Sequence, residues 1–171
     1  MRILLWALAV FLLLVFQSAV LKPLGIAPVN LVLILLVLAL LLDSPYTAGL
    51  IALSGGIILD FLSGTGDGLF TLSLLLVLSI MYFMFEAFLN RELNNWIVAA
   101  SIAAATWIFA ACLILSNWIF NWFNQGQVLN WPSFVWEYLV LSLIFNLALT
   151  YPVWKYLSWV ERLLDKLTHK K

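Results

Sequence analysis

Asp60 and Asp67 are the residues of this chain whose type and spacing most suggest chemistry. They lie in the run Gly55-Gly56-Ile57-Ile58-Leu59-Asp60-Phe61-Leu62-Ser63-Gly64-Thr65-Gly66-Asp67-Gly68-Leu69-Phe70, between long apolar stretches. Two neighbouring acids can bind a cation, and glycines can cradle a phosphate. The residues that would complete such a site are missing. The chain has one histidine, His169, and one cysteine, Cys112. A Ser-His dyad within the apolar region, a His-ligated metal, a Cys-rich metal site and an intramolecular disulfide are therefore excluded.

Known motifs built from these residue types also fail. The glycines lack the Gly-Lys-Ser/Thr ending of a phosphate-binding P-loop. Asp67-Gly68 begins like the acidic motif of membrane CDP-alcohol phosphotransferases, but Leu72 stands where an arginine is needed. Leu53-Ser54-Gly55 faintly resembles the serine motif of rhomboid proteases, without the histidine base. The two aspartates lack the ligand count and spacing of a calcium loop. The expectation is a protein that is not an enzyme and takes no metal, cofactor or nucleic acid.

Composition says where these acids must sit. Hydrophobic residues make up 65% of the 171 residues and charged residues 9%, against roughly 45–50% and 25% in soluble domains. A soluble core cannot absorb that much apolar side chain, whereas a bilayer can. The apolar runs predict one polytopic domain over residues 1–171, an all-α bundle of six transmembrane helices at about 3–21, 27–42, 46–62, 68–88, 96–120 and 134–154. Asp43-Ser44-Pro45 marks a sharp turn between the second and third.

Charge placement orients the bundle. With six spans and a cytoplasmic N-terminus, Arg2, Arg91, Lys155, Arg162, Lys166, Lys170 and Lys171 fall inside and only Lys22 outside. Both termini are then cytoplasmic, in an inner-type membrane, and the Asp60–Asp67 stretch lies at the outer face. The tail, 155–171, follows helical spacing: Val153, Tyr156, Leu157, Val160, Leu163, Leu164 and Leu167 share one face, while Lys155, Glu161, Arg162, Asp165 and Lys166 fill the other. Two readings stand: a short amphipathic helix on the membrane surface, or a simple extension of span six past Pro152.

Within this frame the acids separate. Ala48, Ala52, Gly56 and Asp60 recur every four residues, making one helix face of small side chains along which a neighbouring helix can approach closely. Asp60 continues that face and should point at protein, because an acid facing hydrocarbon is costly. Ser63-Gly64-Thr65-Gly66 reads as a turn, and Asp67 precedes the next apolar run, where a helix cap belongs. Ala99, Ala100, Ser101, Ala103, Ala104 and Ala105 make a second close-packing face. Glu86, Arg91 and Glu92 read as a solvated inner loop, and Glu137 as an outer-side acid. Trp118, Trp122, Trp131 and Trp136 at one interface and Trp6, Trp96, Trp154 and Trp159 at the other read as an aromatic belt. Asn146 reads as an interhelical hydrogen bond.

The run from Gly56 through Asp60 to Gly64, followed by Gly68-Leu69-Phe70-Thr71-Leu72-Ser73-Leu74, resembles the bacterial rod shape-determining protein MreD family. So does the later stretch Asn146-Leu147-Ala148-Leu149-Thr150-Tyr151-Pro152-Val153. Asp67 departs from the family pattern, which often has a small or apolar residue there. The resemblance implies a membrane scaffold of the elongasome, partnered by MreC, MreB filaments, RodA and its transpeptidase, with Gly56, Asp60, Gly64 and Gly68 forming a partner-binding or structural motif. It also implies a fold similar to the S-components of vitamin transporters. A solute-binding subunit of a transporter is therefore the alternative, and self-association is left open.

Overall fold

The computed structural model describes residues 2–21, 30–63, 68–88, 95–122 and 135–168, and every element among them is helical. Helix α1 covers Arg2–Phe16 and continues as a wider π-helical stretch, Gln17–Leu21. Then come α2 (Leu31–Leu42), α3 (Pro45–Ser63), α4 (Leu69–Phe88) and α5 (Asn95–Trp122). A π-helical segment, Val135–Leu141, leads into α6, Ser142–Thr168.

The helices are arranged around α2. It touches α1, α3, α4, α5 and α6, while α1–α3, α3–α4, α4–α5 and α5–α6 are neighbours around it. Its sequence, LVLILLVLALLL, has no polar side, and Leu31 through Ala39 are at most 1% exposed. A helix apolar on all sides belongs in an interior. Apolarity alone would not hold it there, since lipid tails are as apolar as leucine. Its place is set by close packing and by the polar groups at its N-terminal end.

Among the described residues, four helical stretches are long and apolar enough to cross a membrane: Pro45–Ser63, Leu69–Ala87, Asn95–Trp122 and Leu139–Ser158. Two shorter apolar stretches accompany them, Val10–Val20 and Leu31–Leu42. The second predicted span, 27–42, thus contains a helix of 12 residues, about 18 Å long against a hydrocarbon core of about 30 Å. The helix of the sixth predicted span, 134–154, runs on through Pro152 to Thr168, the continuous one of the two readings of the tail.

Local chemistry explains the boundaries. Asp43 ends α2, its amide donating to the Ala39 carbonyl at 2.9 Å. Ser44 caps α3 by accepting the Thr47 amide at 3.2 Å, with Pro45 in the first helical position where a missing N–H costs nothing. The Thr47 hydroxyl closes the turn on Asp43 at 2.6 Å. The bundle's outer surface carries large apolar residues, among them Phe11, Phe61, Phe83, Trp107 and Ile144. In water such a surface would aggregate; against lipid tails it is the expected exterior.

Candidate functional site

The predicted motif converges where α3 ends and α4 begins. Gly56 and Asp60 lie one turn apart on the face of α3 that meets α4, continuing the buried line of Ala48 and Ala52. Asp60 is 4% exposed. Its Oδ1 accepts the Phe70 amide at 2.8 Å, and its Oδ2 accepts the Thr71 amide at 3.1 Å and the Thr71 hydroxyl at 2.6 Å.

These are the amides a helix leaves open in its first turn. The Leu72 amide donates to the Gly68 carbonyl at 2.9 Å, the first bond of α4, which makes Gly68 the cap position. Gly68 has φ +80°, a left-handed backbone that glycine adopts freely, and it has no side chain with which to cap its own helix. Asp60 supplies that acceptor from the preceding helix and places negative charge at the positive end of the α4 dipole.

Gly56 makes this geometry reachable. A Cβ on it would lie 2.6 Å from the Thr71 Cα and 2.9 Å from the Thr71 Oγ1. The two backbones can therefore meet at this level only with glycine at 56. Gly55, its neighbour, faces the other way, and a Cβ there would strike the Val32 side chain of α2. The pair lets α3 press against α2 and α4 at once.

Beside the cap, an open groove of about 400 Å³ is lined by Ile57, Asp60, Phe61, Gly68, Thr71, Leu72 and Leu75. Its walls are apolar, and Phe61 stands on its rim at 78% exposure. The Asp60 oxygens are engaged by the three donors above. Gly64 and Asp67 lie outside the described residues; the Phe70 and Thr71 amides, within reach of a cap on this turn, are bonded to Asp60.

A second polar cluster holds the start of α2. Asn146 of α6 is 0% exposed. Its Oδ1 accepts the Asn30 amide at 3.1 Å, while its Nδ2 donates to Thr106 Oγ1 at 3.1 Å on α5 and to Ser142 Oγ at 3.2 Å. The Leu31 amide donates to Gln17 Oε1 at 3.1 Å, and the Leu33 amide to Asn30 Oδ1 at 3.0 Å. Three helices, α1 through its π-helical end, α5 and α6, thus converge on the first turn of α2. A third link joins Ser73 of α4 and Ser116 of α5 at 3.1 Å.

The remaining predicted residues lie apart from both clusters. Glu86 and Glu137 are exposed. Trp96, Trp118, Trp122 and Trp136 are exposed near helix ends, the Trp118 and Trp122 rings 4.9 Å apart, and Trp154 is half-buried. Arg91, Glu92 and Trp131 lie outside the described residues. Sequence reasoning assigned no role to Thr71, Gln17, Thr106 or Ser142. Asn30, immediately before an apolar run, carried a readable N-cap signal that a helix start at residue 27 obscured.

Among the described residues, no group of three or more His, Cys, Asp or Glu side chains is placed to hold a metal. No buried side-chain nitrogen or oxygen among them lacks a hydrogen-bond partner. The class that fold and site define is an all-helical protein with membrane-spanning character, whose polar residues join its helices. Comparison with protein families, with curated proteins and with solved structures finds no match.

Proposed function

We propose that this chain is a non-enzymatic membrane scaffold of the bacterial elongasome, of the MreD kind. In this reading it crosses the inner membrane six times with both termini cytoplasmic. It binds MreC and couples MreB filaments to lateral-wall peptidoglycan synthesis by RodA and its transpeptidase. The observation that carries the reading is the use made of the motif residues. Gly56, Asp60 and Gly68 build one joint between α3 and α4, and Asp60 and Gly68 line the apolar groove beside it.

A motif spent on fixing a surface suits a protein that works by being recognised. A solute-binding subunit would need several convergent polar groups facing a cavity. The buried polar side chains described here are instead paired with one another or with backbone. At the start of α2, where a broken helix in a transporter would present free amides to a substrate, Gln17, Asn30 and Asn146 already accept those of Leu31, Leu33 and Asn30.

The test is co-purification with MreC. Ile57→Trp and Leu72→Trp fill the groove from its walls without touching the Asp60 bonds. Both should abolish MreC capture while leaving thermal unfolding of the bundle unchanged. Wild-type protein that fails to capture MreC defeats the scaffold reading. Capture undiminished in both variants defeats the groove's part in it.

A further inference from the structure

We propose that a second copy of this chain docks on the α5–α6 surface, the Trp107 indole N–H of each copy donating to the Ala148 carbonyl of the other. Pro152 lies inside α6 and carries no N–H, so the carbonyl four residues back, that of Ala148, lacks its helical donor. The nearby Thr150 hydroxyl is spent on the Asn146 carbonyl, at 2.6 Å. Ala148 and Pro152 are both exposed, away from the buried face that holds Asn146 and Thr150. Depth makes the open carbonyl costly. Ala148 stands eleven residues after Glu137 and seven before Lys155, the nearest charges along the chain on either side. Hydrocarbon supplies no water to a backbone acceptor there, and proline is tolerated in a spanning helix where a neighbour satisfies the freed group.

Helix α5 presents the matching donor. Trp107 is 59% exposed, twelve residues after the start of α5 and fifteen before its end. The other tryptophans of α5, Trp96, Trp118 and Trp122, stand near its ends, where tryptophan partitions in a bilayer. Trp107 instead holds its indole N–H at the middle of the helix, and among the described residues nothing accepts it. Donor and acceptor share a level. Thr106 and Asn146, bonded at 3.1 Å, fix α5 against α6. Trp107 is one residue from the first and Ala148 two from the second, so their depths differ by at most about 5 Å.

The surface around Trp107 also admits a helix. Ala100, Ala104, Trp107 and Ala111 follow at steps of four, three and four on one exposed or half-buried face of α5, a spacing of small residues that lets another helix approach closely. With donor and acceptor at one depth, this surface complements itself. A two-fold axis along the membrane normal brings each Trp107 to the other copy's Ala148 and closes both bonds at once. A lipid tail offers neither group. The pairing rests on the membrane-spanning character of the helices and not on the scaffold reading above.

The experiment follows dimerisation of the full chain in liposomes, by energy transfer between labelled copies as the protein is diluted in lipid. Trp107→Phe removes the donor and keeps an aromatic ring. Pro152→Ala supplies the missing amide and takes the acceptor back into its own helix. Each should raise the dimer dissociation constant by about tenfold, since two bonds are lost per dimer. The double variant should lose no more than either single one, because both act on the same bonds. Disulfide formation gives a second readout: after Cys112→Ala, chains carrying Ala104→Cys and chains carrying Ala148→Cys should cross-link when mixed, whereas Leu53→Cys, exposed on α3, should cross-link with neither. Pure chain that stays monomeric overturns the proposal and leaves the carbonyl to a helix of another protein. Dimers that ignore both substitutions overturn it, as do losses that add in the double variant. Failure of the mixed cross-link also overturns it.

Discussion

Asp60 Oδ2 and Thr71 Oγ1 lie 2.6 Å apart, joining the last turn of α3 to the first turn of α4. The bond does for α4 what Gly68 cannot do for its own helix. The Phe70 and Thr71 amides, which α4 leaves without an intrahelical partner in its first turn, end on a carboxylate fixed one helix away. Removing it should be costly in proportion to the donors it strands. Asp60→Ala should lower stability by about 2–4 kcal/mol, from two amides and a hydroxyl left without an acceptor. Asp60→Asn, which retains one acceptor oxygen, should lose less. Unfolding of the two variants in matched detergent measures the difference, and equal losses would show that the charge rather than the acceptors matters.

The two glycines should respond differently to the same substitution. Gly55→Ala places a methyl against the Val32 side chain, so the added strain of about 1–3 kcal/mol should be largely relieved by Val32→Ala. Gly56→Ala meets the Thr71 backbone at Cα, and no truncation of Thr71 can make that room. Rescue of the first pair and failure of the second, read as melting temperatures of single and double variants, is the expected outcome.

Asn146→Leu keeps the volume of the side chain and removes its polar atoms. The Asn30 amide would lose its acceptor and Thr106 its Asn146 donor. A loss of about 1–3 kcal/mol is expected, with faster hydrogen exchange concentrated at the first turn of α2. Exchange that rises uniformly over all helices would contradict the view that Asn146 acts by anchoring α2.

Cys112 is a free thiol buried in α5. It should resist maleimide in the folded protein and react fully after denaturation. Rapid labelling of the native chain would mean that α5 is turned differently within the bundle.

Much of the helix layout was legible in the chain itself, because apolar runs punctuated by Asp43-Ser44-Pro45 and by the glycine-rich turn leave few other arrangements. The described ends of α3, α4 and α5 fall within two residues of the predicted ones. The misjudged elements have identifiable causes. For α2, hydropathy registered the apolar run but not the Asn30 cap that delimits it. For α6, Pro152 left open whether the helix would go on beyond it, and it does, with Pro152 on an exposed face. In the site, the four-residue spacing of Gly56 and Asp60 pointed toward a protein neighbour, but nothing local could say which one.

The sequence by itself determined that this chain is helical, suited to a bilayer, too poor in cysteine for an intramolecular disulfide or a Cys-rich metal site, and that the small face of α3 carries Asp60. Those properties follow from composition and from period, which any helix of this sequence would share. Only the tertiary structure decided that α2 is the central helix, that Asp60 caps α4, and that Asn146 holds Asn30. Each depends on which helix lies beside which, and in hydrocarbon that choice is made by close approach at glycine and by paired polar groups rather than by hydrophobicity, which every helix here has in excess.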